Sequence, residues 1–75
     1  MAAGQIDVPA ESPYTGQPVG ATRARTRTGA SIVAVVRGED VIASPVPTEV
    51  IRSGDVLVVI GTHEGIDGVR RIIAG

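Results

Sequence analysis

Two runs of consecutive apolar residues, Ile32-Val33-Ala34-Val35-Val36 and Val56-Leu57-Val58-Val59-Ile60, constrain this chain most. Val and Ile dominate both, and β-branched side chains favour strand over helix. Successive side chains of a strand point to opposite faces. A strand that is apolar at every position therefore needs cover on both sides. A chain of 75 residues has little to spare for that. It has no Cys, Phe or Trp and one Tyr, so no disulfide or Cys-based zinc site staples it, and its core comes from Val, Ile, Leu and Ala. Single domains this small supply roughly 3–5 kcal/mol of net stability unaided. Association is the remaining route, and a homodimer is expected.

Net charge is −1, and all seven basic residues are arginine. That balance argues against binding a nucleic acid polymer or an anionic membrane. No apolar run approaches the roughly 20 residues of a membrane-spanning helix. The N-terminal MAAGQIDVPAE has neither a basic region nor an apolar core of signal-peptide type. A cytoplasmic location is expected. Residues 1–5 read as a tag or linker remnant, and residues 6–75 as one domain.

In chain order, Ile6-Asp7-Val8 forms a short edge strand ended by Pro9. Thr15–Thr28 is the first helix, with Thr15 as N-cap, Pro18 in its first turn and Gly29 at its end. Val19, Thr22 and Thr26 form its thin buried stripe. Ala30–Arg37 is the central strand, and Gly38-Glu39-Asp40 turns it into a second strand, Val41-Ile42-Ala43. Pro45 and Pro47 end that strand, and Thr48–Ile51 forms a helical turn capped by Thr48. Val56–Ile60 is the last strand. Thr62 caps a final helix with Glu64 and Asp67 early and Arg70-Arg71 late, matching the helix dipole. Ile66, Val69, Ile72 and Ile73 are its buried stripe. The fold class is α+β, in the order β-α-β-β-β-α, with a mostly antiparallel sheet and two helices.

Arg23, Arg25 and Arg27 fall within five positions, just before Gly29 and the central strand. Such a cluster suits an anion, because guanidinium donates two parallel hydrogen bonds to a phosphate. In a continuous helix Arg23 and Arg27 share a face and Arg25 points elsewhere. The same cluster also complements the negative end of a helix, which is the commoner use of such a run. Catalysis has little support. There is one His, no Cys and no nucleophile motif, and Gly61-Thr62-His63-Glu64-Gly65 lacks the Lys and spacing of a phosphate loop. No enzyme, catalytic residue, metal site or cofactor is expected. Glu39-Asp40 is explained by its turn, and His63 by an exposed first turn of helix.

GASIVAVVRG followed by VIASPVPTEVIRSGDVLVVIGTHEGI resembles the TrkA-C domain, the C-terminal ligand-binding lobe of RCK modules that regulate potassium channels and cation/proton antiporters. The matching features are an apolar strand ending in Arg-Gly, a Ser-Pro after the next strand, the Gly-Asp turn and the Leu-Val-Val-Ile-Gly-Thr strand. Ser12-Pro13 followed by Gly16 matches the entry to the first helix. The resemblance implies the β-α-β-β-β-α unit and a dimer formed through the sheet and first helix. Several members bind cyclic di-AMP between the two lobes. The ligand-binding set implied here is Arg25 on phosphate, the small polar Ser31, Ile32 beside adenine, and Pro47 or Pro45 lining the cleft. Ala24 belongs to the same set, and Arg23 adds a phosphate contact. Ser31 stands where binders commonly carry asparagine. The implied function is regulation of a potassium or cation/proton antiport system by cyclic di-AMP, as a homodimer peripheral to a membrane transporter. The alternative is a ligand-blind or ion-sensing dimerisation module of the same kind of assembly.

Overall fold

The computed structural model describes residues 1–75. One four-stranded sheet contains β1 (Ala2–Asp7), β2 (Ser31–Arg37), β3 (Asp40–Ala43) and β4 (Val56–Gly61), in the spatial order β1-β4-β2-β3. Every neighbouring pair is antiparallel. The two apolar runs therefore lie side by side in the middle, with Val35 opposite Leu57 and Val36 opposite Val56. A bulge between Ile32 and Ala34 shifts the register where β2 begins. β2 and β3 meet in a hairpin of two loop residues, with Gly38 at φ +60 as that type of turn requires.

Three helices complete the chain: α1 (Val19–Thr22), α2 (Ala24–Thr28) and α3 (His63–Ala74). α3 starts as its sequence dictates, with Thr62 Oγ1 accepting a hydrogen bond from the Gly65 N–H at 3.0 Å. Ile66, Val69 and Ile73 of α3 are buried against Ile6, Val35, Leu57 and Val59 of the sheet. Glycine permits the closest approaches. A Cβ on Gly61 would lie 2.8 Å from Ala30 Cα, and one on Gly4 2.9 Å from Ile66 Cγ2.

Only one face of the sheet is covered in this way. On the other, Val36, Val56, Val58 and Ile60 are half-buried, and Val41 is 66% exposed. The two-sided apolar strands thus leave an apolar face open on a single chain.

Three expectations are corrected. The first helix is not continuous from Thr15. Thr15 Oγ1 donates to the Pro9 carbonyl, Pro18 is the N-cap, and the chain breaks at Arg23, which adopts a left-handed φ of 51. Thr48–Ile51 is not a helical turn. Residues 16–20 and 47–51 run beside each other, with Gly16 N to Ile51 O at 2.8 Å, Val19 N to Glu49 O at 2.8 Å and Ile51 N to Gln17 O at 2.9 Å. Those bonds use the backbone groups that a helical turn would need. Finally, the first strand begins at Ala2, four residues before Ile6. Residues 2–5 pair with Val58–Gly61.

Candidate functional site

The break at Arg23 shapes the region holding the arginines. α1 is one turn long, and Thr22 closes it by donating from Oγ1 to the Val19 carbonyl at 2.7 Å. Arg23 then turns the chain left-handed before α2. α2 ends at Gly29, φ +84, whose N–H donates to the Arg25 carbonyl at 2.8 Å. Thr28 Oγ1 donates to the Ala24 carbonyl at 2.6 Å and accepts from the Ala30 N–H at 3.1 Å, tying the helix end to the entry of β2.

An open cleft of about 240 Å³ lies between these short helices and β2. Its lining is Val19, Gly20, Thr22, Arg23, Ala24, Arg25, Thr26, Ser31 and Ile32. Five of the residues singled out in the sequence, Arg23, Ala24, Arg25, Ser31 and Ile32, therefore share one cleft. Arg23 and Arg25 line the cleft together, and Arg27 does not. Ile32 both lines the cleft and packs on the core. Ser31 pairs with Ile60, so the cleft adjoins the end of the open sheet face.

Pro45 and Pro47 do not line the cleft. Pro47 sits next to it: its carbonyl accepts from the Gly20 N–H at 2.9 Å, and a Cβ on Gly20 would meet Pro47 Cβ at 2.9 Å. Gly20, Thr22 and Thr26 were not singled out for this cleft. Thr22 and Thr26 read as one buried stripe, but the break leaves Thr22 buried and Thr26 exposed.

Electrostatics favour an anion. Both salt bridges in the chain belong to Arg37, which contacts Glu49 and Asp55. Arg23 and Arg25 are exposed and have no carboxylate partner. The sole aromatic, Tyr14, is buried, and that burial raises its phenol pKa against the opposing effects of the Arg27 charge and the Thr22 hydroxyl. A second, larger hollow of about 420 Å³ lies between β1 and the end of α3. Its charged groups, Asp7 and Arg70, have opposite signs, and Arg70 already reaches the Gln5 carbonyl at 3.5 Å. It therefore offers no comparable charge for a ligand. His63 lies apart from both clefts, at the exposed start of α3. No three His, Asp or Glu side chains converge as metal ligands. No helix is long and apolar enough to cross a membrane.

Comparison with known proteins places the chain. Residues 4–74 match the TrkA-C domain family model. Potassium channel protein 1 of Methanocaldococcus jannaschii is 41% identical over 51 residues, which is 68% of this chain and 15% of that protein. Ktr system potassium uptake protein C of Bacillus subtilis is 40% identical over 57 residues, 76% of this chain and 26% of that protein. The chain thus spans about a quarter or less of the curated relatives it matches. The RCK_C domain dimer of S. agalactiae BusR in complex with c-di-AMP superposes with a TM-score of 0.89 at 28% identity, covering 99% of this chain and 97% of that one. The chain belongs to the TrkA-C (RCK_C) domain family.

Proposed function

We propose that this chain is a non-enzymatic regulatory domain that binds cyclic di-AMP between two copies of itself, and that it controls a potassium or cation/proton antiport system. The observation that carries this reading is the incomplete cleft. At about 240 Å³ it is smaller than one chain would need to enclose a dinucleotide, since ligand pockets usually span roughly 300–1,000 Å³. It also presents two unneutralised guanidiniums and opens beside an apolar sheet face. A two-fold axis along that face would bring two such clefts together. Arg25 of each copy would then hold one of the two phosphates of a symmetric ligand, with Arg23 beside it. Ser31 and Ile32 would meet the bases, and Pro47, behind Gly20, would support the wall. The similar BusR domain was solved as a dimer with this ligand.

The transporter role rests on the curated relatives, both named for potassium transport, and on the cytoplasmic, membrane-peripheral position such a regulator would occupy. Titration calorimetry tests the binding. One cyclic di-AMP per two chains is expected, and no heat with a stable dimer would instead favour the ligand-blind dimerisation module.

A further inference from the structure

The cleft carries more positive charge than a cyclic dinucleotide can neutralise. Arg23 and Arg25 both line it, and none of the chain's eight acidic residues does. Both arginines are exposed, and the two salt bridges in the chain belong to Arg37. Two copies joined at the cleft would gather twice two, or four, guanidiniums. Cyclic di-AMP offers one negative charge on each of its two phosphodiesters. Half of the positive charge would then stay unpaired, and like charges held at one site repel unless an anion offsets them.

The donors point the same way as the charge. A guanidinium donates two parallel hydrogen bonds to a phosphate. One such fork occupies both free oxygens of a phosphodiester, so a second arginine on that group finds no oxygen of its own. A terminal phosphate has three free oxygens and a charge of about −1.5 to −2 at neutral pH. It can engage two forks at once. Thr26, exposed in the same lining, adds a hydroxyl beside the arginines, and Val19 and Ile32 offer apolar surface for a base.

We infer that the Arg23–Arg25 pair is matched to a terminal phosphate, so that the cleft also takes a linear dinucleotide with a free 5′-phosphate. At one half of the two-copy site, Arg23 and Arg25 share the terminal phosphate. At the other half, Arg25 holds the bridging phosphodiester. Hydrolysis of one phosphodiester in a cyclic dinucleotide leaves such a molecule. The oxygen of water bonds to phosphorus, the bond from phosphorus to the sugar oxygen breaks, and the proton of water goes to the released hydroxyl. The opened ligand then competes with the intact one for the same cleft.

The inference rests on the two-copy cleft proposed above, and one set of titrations separates the two. The full chain, Arg23→Gln and Arg27→Gln are titrated by calorimetry with three ligands. These are cyclic di-AMP, linear diadenylate with a 5′-phosphate, and the same linear molecule without it. In the parent the terminal phosphate should tighten the linear ligand about ten- to hundredfold, the worth of one charge-assisted hydrogen bond. That advantage should shrink as pH falls through about 6, where the phosphate loses its second charge. Arg23→Gln should weaken the phosphorylated linear ligand about tenfold more than cyclic di-AMP. Arg27→Gln, outside the cleft, should leave the advantage in place. No gain from the terminal phosphate while cyclic di-AMP binds, an equal loss of both ligands in Arg23→Gln, or an advantage lost as fully in Arg27→Gln overturns this inference alone. Binding of the phosphorylated linear ligand without cyclic di-AMP keeps it and removes the cyclic di-AMP reading. No binding of either ligand removes both.

Discussion

Arg37 and Asp55 meet in a two-point contact, Nε to Oδ1 at 3.0 Å and one terminal nitrogen to Oδ2 at 2.9 Å. Asp55 is 1% exposed and also accepts from the Arg52 N–H at 2.9 Å. Arg37 further donates to the Val50 carbonyl at 2.9 Å and reaches Glu49 at 3.5 Å. A single guanidinium at the end of β2 therefore holds the 49–55 segment, and that segment supports residues 16–19 beside the cleft.

Removing Arg37 leaves the Asp55 carboxylate buried without its countercharge. Arg37→Ala should lower stability by about 3 kcal/mol or more. That is most of what so small a domain has, so a much lower urea midpoint is expected. Arg37→Lys keeps the charge but loses the planar fork, and should recover part of the difference. Urea melts followed by circular dichroism measure both. A loss under about 1 kcal/mol for the alanine variant would place this pair with ordinary surface ion pairs.

The same contact predicts an acid limb. Burial alone would raise the Asp55 pKa, but the Arg37 hydrogen bonds, the Arg52 N–H and the Arg37 and Arg52 charges outweigh it and hold the carboxyl below its ordinary 3.8. The unfolded chain then takes up the proton at a higher pH than the folded one does. The stability contributed by Asp55 is full above 3.8 and is lost as pH falls through the lower folded value. Denaturation midpoints measured downward from pH 5 should show this fall. Asp55→Asn should start less stable and lack that part of the slope.

Two glycines should respond oppositely to alanine. At Gly61 the new methyl would lie 2.8 Å from a backbone atom, Ala30 Cα, which has no room to give. Gly61→Ala should cost about 1–3 kcal/mol. At Gly68, inside α3, the nearest atom is 3.3 Å away at the end of the Thr28 side chain. Gly68→Ala should be neutral or stabilising, by up to about 1 kcal/mol of helix propensity. Thermal melts of the two variants side by side decide this, and matching shifts would contradict the packing described.

Ligand binding should distinguish the arginines. If cyclic di-AMP binds between two copies as proposed, Arg25→Ala removes one charge-assisted contact from each copy, at roughly 1.5–3 kcal/mol each. A loss of affinity above about a hundredfold is expected, with the dimer intact by sedimentation. Arg27→Ala, outside the cleft, should stay within about twofold. Under the same reading, Ser31→Asn lengthens the polar arm that would meet the base and should tighten binding. Comparable losses at Arg25 and Arg27 would indicate a diffuse charge effect instead of a built site.

The strands and α3 were legible because their signals are local and redundant. Val56–Ile60 is apolar throughout, and α3 has a capping Thr62, a charge order matching its dipole and a regular apolar stripe. The clustering of Arg23, Arg25, Ser31 and Ile32 came from the family resemblance together with strand placement. The broken first helix was not legible. Arginine is an ordinary helix former, and nothing in its chemistry announces a left-handed conformation. The path of Glu49–Ile51 depends on residues 16–19, distant in sequence, for its hydrogen bonds. The start of β1 at Ala2 was hidden by Ala-Ala-Gly, which carries little strand propensity and pairs because β4 lies alongside.

The sheet order also sets when this domain can exist during synthesis. β4 is the last strand in sequence but occupies the middle of the sheet, between β1 and β2. While the chain grows from its N-terminus, β1 has no neighbour and the β2–β3 hairpin has no core to lie on. Everything made before Val56 waits for the segment that joins it. Folding is therefore postponed until most of the domain has been made, and both arms of the cleft are set in the same late, long-range step.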